Sequence, residues 1–183
     1  MPHEPAFRAL VLALVALSLT ACLDKPYDPD GPGDFIGAFS VDAELDVNTC
    51  GDGALDAPAT WTFEVKLSRD VDLVYWWNSS AELVTGKLAS DKHSFSFETS
   101  VAVDMRDENS APWLPPCTVT RRDRCDGKIS DDDTTFIGKL SYDYSPTTGS
   151  DCTDLVTSDS PVFAALPCGM TYTLDAKRTS EVP

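Results

Sequence analysis

Histidine is scarce in this chain of 183 residues, which carries only His3 and His93. That removes the commonest general base and the commonest metal ligand from almost any arrangement that needs them. The glycine-framed serine elbow, the His-Glu-x-x-His motif, the phosphate-binding loop and the dinucleotide glycine motif are all missing. So is any close cysteine pair of the kind that holds zinc. Positive charge is short: Lys+Arg number 14 against 30 Asp+Glu, a formal net charge of −16. That balance argues against a nucleic-acid partner, whose backbone demands clustered Lys and Arg. No apolar run reaches the roughly 18 residues that a membrane-crossing helix needs. Carboxylates are so numerous that no catalytic pair stands out, and no cofactor is implied.

What the chain does have begins at its N-terminus. Residues 9–19 form a short apolar stretch behind Arg8, the length of the apolar region of a secretory signal. The stretch closes on Leu19-Thr20-Ala21-Cys22, which resembles the lipobox of bacterial lipoproteins. The resemblance implies cleavage before Cys22, a thioether diacylglycerol on its sulfur and acylation of the new amino terminus. Two or more chains hold a protein stably on a membrane, at ~0.8 kcal/mol per buried methylene. The expected division is a signal peptide over 1–21, a lipidated N-terminus and flexible tether over 22–34, and one β domain over 35–183. Asp28, Asp30 and Asp34 lie in the Pro/Gly/Asp-rich tether without the spacing of an EF-hand loop. The implied address is the cell envelope of a Gram-negative bacterium. Leu23, where enteric inner-membrane lipoproteins tend to have aspartate, favours the outer membrane.

After the tether, apolar and polar residues alternate, which marks half-buried strands. Phe39, Val41, Ala43 and Leu45 take every second place in the first, and Trp61, Phe63, Val65 and Leu67 in the second. Leu73, Tyr75 and Trp77 are read as the inward face of a third strand, and a short fourth runs over 83–88. Phe95, Phe97, Thr99, Val101 and Val103 line a fifth, and 118–129 makes a less regular sixth. Phe136 to Tyr144 and Met170 to Ala176 supply the last two, with one helical turn expected over 161–166. The fold class expected is all-β, an eight-stranded antiparallel up-and-down barrel of lipocalin-like form, with a two-sheet sandwich as the alternative. In a meander, strand parity puts the turns near 68–72, 89–93 and 130–135 at the tether end. The longer connections then share the membrane-distal rim, where binding usually resides.

Five cysteines follow the anchor, so one is left over in an oxidising compartment. Cys125 lies down the sixth strand. It cannot reach Cys117 along one extended strand, since eight residues span ~26 Å and a disulfide needs Cα atoms within ~7 Å. It is therefore expected free, packed as a small apolar residue. Of the three pairings open to the others, Cys152–Cys168 with Cys50–Cys117 is expected, the first clamping the last long loop. The Asp131-Asp132-Asp133 run reads as a charged turn rather than a cation site, and His93 as a solvated turn residue.

Two tryptophans are candidate partner contacts. Trp113 sits in a proline-rich rim loop, where it either stacks on a sugar or side chain or folds back to plug the barrel mouth; the plug is the expectation. Trp76 opposes Tyr75 and Trp77 across its strand, so one face carries an outward aromatic. The segments Asn48-Thr49-Cys50-Gly51, Leu67-Ser68-Arg69 and Leu166-Pro167-Cys168-Gly169-Met170-Thr171-Tyr172 resemble small β-rich lipoproteins of myxobacteria and their relatives. That likeness bears on architecture alone. The function expected is a non-catalytic interaction module that binds a protein or glycan through its distal loops. A lipocalin-like carrier of a small apolar ligand is the alternative, and an enzyme the third. So many large inward rings argue for a filled barrel, which ranks the module first.

Overall fold

A computed structural model describes residues 32–52, 55, 57–78, 83–106, 110–111, 113–159 and 161–179. The signal peptide, Cys22 and the tether up to residue 31 lie outside these. Among the described residues the strands are β1 (Asp34–Asn48), β2 (Thr60–Asp70), β3 (Leu73–Asn78), β4 (Leu83–Leu88), β5 (Ser94–Asp104), β6 (Thr118–Ile129), β7 (Thr135–Pro146) and β8 (Cys168–Arg178). They close in sequence order into a single antiparallel barrel, so the meander is shown and the sandwich is not. β1 closes it by pairing with β8 from Phe39↔Arg178 to Asn48↔Met170.

Alternation fixes which residues face in. Phe39, Val41 and Ala43 of β1, Val65 and Leu67 of β2, Phe136 of β7, and Leu174 and Ala176 of β8 are all buried. Burial of each large apolar side chain is worth ~1.5–3 kcal/mol. β1 departs from strict alternation at two bulges, between Phe35 and Gly37 against β2 and between Leu45 and Val47 against β8. The first turns Ile36 into the core in place of Phe35, and the second leaves Val47 exposed.

β3 has the opposite phase to the one expected. Val74 and Trp76 pack with the core cluster, and Tyr75 and Trp77 do not. The reason is the turn. β2 runs on to Asp70, which pairs with Leu73, leaving a two-residue connection. Leu67 then faces Trp76, and an inward Leu67 draws Trp76 inward with it.

Three short turns share the lower end, as strand parity requires. The Arg69 guanidinium donates to both Asp133 carboxylate oxygens, at 2.8 and 3.1 Å. Lys92 Nζ donates to the Val71 carbonyl. The long connections meet at the upper end, but the disulfides there are Cys50–Cys168 and Cys117–Cys152, which corrects the expected pairing. Each joins neighbours in the barrel. β1 lies beside β8, and Thr49 N donates to Gly169 O at 2.9 Å. β6 lies beside β7, and Asp151 N donates to Pro116 O at 2.9 Å. Cys125 is free and buried.

The one helical turn among the described residues, α1, spans Asp154–Thr157 rather than 161–166. Backbone amides of 161–166 are spent on longer-range bonds instead: Phe163 N donates to Leu155 O and Ala164 N to Cys50 O. Phe163 itself is buried.

Candidate functional site

The lower part of the barrel is filled, as is the β8 side of the upper part, where Phe163, Met170 and Tyr172 are buried; the space left lies against β2–β7. Phe39, Phe95 and Phe136 meet edge to face with centroids 5.3 and 5.7 Å apart, and they make the packed floor. Glycines let these rings in: a Cβ at Gly127 would collide with Phe95, and one at Gly86 with Phe97. Trp76 stands on the floor, 5.5 Å from Phe97 and 6.2 Å from Phe136 between centroids. Above it opens a cavity of about 410 Å³.

Inward positions of six strands wall that cavity. β2 contributes Trp61 and Phe63, stacked at 4.5 Å, and β3 contributes Trp76. Val84 comes from β4, Phe97 and Thr99 from β5, and Leu140 and Tyr142 from β7. β6 gives Cys125 and an unexpected pair of charges, Arg121 and Asp123. Arg121 Nη2 lies 2.8 Å from Asp123 Oδ2, and the Arg121 side chain keeps 43% of its surface accessible. Arg121 Nε and Trp61 Nε1 are buried donors with no acceptor in the protein. Burial pushes the Cys125 thiol up to about 12, with Asp126 a lesser cause. It pushes the Tyr142 hydroxyl up to about 12 as well, assisted by Asp123. Both groups are therefore neutral at physiological pH and present no anion to the cavity.

The wall has a seam. β4 and β5 pair only through Lys87↔Ser96 and Leu88↔Phe95, whereas β5 and β6 pair from Ser94↔Lys128 to Asp104↔Thr118. Without β4 beside it, the upper part of β5 is exposed on both faces, including Thr99, Val101 and Val103, which were expected to point into a closed core. A second groove, of about 470 Å³, lies outside the seam, and Phe97 and Arg124 border both it and the cavity.

The residues singled out from the sequence fall in different places. Trp76 lies inside the barrel, not on its surface. Trp113 is 81% exposed on the β5–β6 connection and does not plug the mouth. The two tryptophans therefore belong to no common site. That connection is held by Arg106, which donates to both Asp154 carboxylate oxygens at 2.8 and 2.9 Å and to the Pro115 carbonyl at 3.0 Å. The ion pair raises the Arg106 pKa and lowers that of Asp154. The Asp131–Asp133 run is divided. Asp132 accepts from Ser130 and Thr134 and is held down to about 2 by those bonds, while Asp133 pairs with Arg69. His93 is half-buried rather than solvated.

Arg121 and Asp123 are the site residues that sequence reading missed. The signal was present: with Val119, Cys125 and Ile129 facing in, parity puts both charges inside as well. Set against family models, curated proteins and solved structures, the chain finds no match in any of the three.

Proposed function

We propose that this chain is a lipid-anchored, non-catalytic binding protein of the bacterial cell envelope that takes up one small molecule in the upper half of its barrel. The cavity of about 410 Å³ carries the reading. It lies in the ~300–1,000 Å³ range of small-molecule sites, and its ring-lined wall carries four charged side chains, Glu64, Arg121, Asp123 and Arg124. Of the rings that argued for a filled barrel, Phe39, Phe95 and Phe136 pack the floor, Trp61 and Phe63 line the cavity, and Tyr75 and Trp77 do not pack with the core. That supports the carrier over the rim module. The seam beside β5 gives a small molecule a side entrance that needs no movement of the disulfide-tied rim.

The lipobox ending at Cys22 supports the anchor, and the acidic, proline-rich segment after it suits a tether on the outer membrane. Cys22→Ser should move the protein from the membrane fraction to the soluble one; retention in the membrane would contradict the anchor. N-phenylnaphthylamine, an uncharged dye that brightens out of water, should bind that soluble form saturably, one per chain. A linear, unsaturable response would count against the cavity.

A second reading has its own observation, the 81% exposure of Trp113. On that reading the ring contacts a protein or glycan partner at the rim. Trp113→Ala should then abolish the partner's pull-down without changing dye binding; an unchanged pull-down would defeat it.

A further inference from the structure

The polar atoms buried in the cavity wall include two donors, Trp61 Nε1 and Arg121 Nε, beside one acceptor, Asp123 Oδ1, and the donors say what an occupant can bring. Trp61 Nε1 and Arg121 Nε are buried without an acceptor, and an unsatisfied buried donor is costly until a partner reaches it. Arg121 presents five N–H groups in a planar fork, of which Asp123 engages Nη2 at 2.8 Å. Its side chain lines the cavity and keeps 43% of its surface accessible, so the ion pair does not seal the guanidinium. Arg124, the other cation of the cavity lining, does not compete, because Asp126 on the same strand holds it with bonds of 2.7 and 3.2 Å. The same cavity is lined by the rings Trp61, Phe63, Trp76 and Phe97, with the Glu64 carboxylate also on its wall. A guanidinium fork matches a two-oxygen anion bidentately, and stacked indole and phenyl faces match a flat apolar body.

Resting on the carrier reading, we infer that the ligand is a small ring-bearing acid whose oxyanion head docks on Arg121 and whose flat body lies against Trp61 and Trp76. The formal net charge of −16 disfavours anions at long range. A preference for them must therefore come from the cavity.

Two dyes with one ring framework test this. N-phenylnaphthylamine is neutral, and anilinonaphthalene sulfonate adds an anionic head. Titrated into the full chain carrying Cys22→Ser, the sulfonate is expected to bind at least about tenfold more tightly than the neutral dye. Arg121→Met should remove that advantage, bringing the ratio of the two dyes' affinities in the variant to within about twofold of one. Arg121→Met removes the cation paired with Asp123, so Arg121→Met/Asp123→Met is made in parallel and should behave the same way. Equal affinities in the parent protein, or an advantage that survives both variants, would overturn the acid while leaving the cavity as a carrier site. Failure of both dyes to bind would overturn the carrier reading itself.

Discussion

Gly127 shows how a single position admits the packed floor. The Phe95 ring occupies the space that a side chain there would need, and Gly138 faces Gly127 across the β6–β7 ladder. Gly127→Ala should lower stability by about 1–3 kcal/mol through forced repacking, read as a lower urea midpoint with an unchanged slope. An unchanged midpoint would mean the ring has room to move. Cys125 makes a second statement at this scale. With its pKa pushed from 9.0 to about 12, the folded state holds the thiol proton more tightly than the unfolded one. The resulting stability is complete below pH 9 and is lost as pH rises toward 12. Iodoacetamide at neutral pH should therefore leave the native thiol untouched and label it fully in denaturant. Rapid native labelling would show that the cavity exposes it.

Between elements, the phase of each strand and its neighbours decides what can be read in advance. β2, β7 and β8 alternate cleanly, so their inward faces are legible from the residues. β3 is apolar from Leu73 to Trp77 and carries no phase of its own; the two-residue turn after Asp70 sets it. The same holds for the cysteines. Their rim location follows from parity, but their partners follow from the closure of β1 on β8, which local sequence does not contain. That closure makes the two disulfides unequal. Cys50–Cys168 spans a sequence separation of 118 and Cys117–Cys152 one of 35. Chain entropy alone gives about 5 and about 4 kcal/mol respectively. Cys50→Ala/Cys168→Ala should thus destabilise more than Cys117→Ala/Cys152→Ala in thermal unfolding. The reverse order would mean that Arg106 and Asp154 hold the β6–β7 side less firmly than their hydrogen bonds imply.

At the scale of the whole molecule, a barrel can be identified from its strands while its interior volume cannot. A count of inward rings says nothing of their height in the barrel. Here Phe39, Phe95 and Phe136 crowd one layer, and Trp61, Phe63 and Tyr142 stand back around a space. The short β4 adds a seam that no residue pattern announced, because its extent depends on how far β5 continues without it. Floor and cavity together make a container closed below by cross-tied turns. Native mass spectrometry of the Cys22→Ser chain incubated with N-phenylnaphthylamine tests that container most directly, with Val84→Trp as the filled counterpart. A single adduct on the parent and none on the folded Val84→Trp variant is the predicted result. A bare mass in both, or adducts that Val84→Trp leaves unchanged, would contradict a binding site inside the barrel.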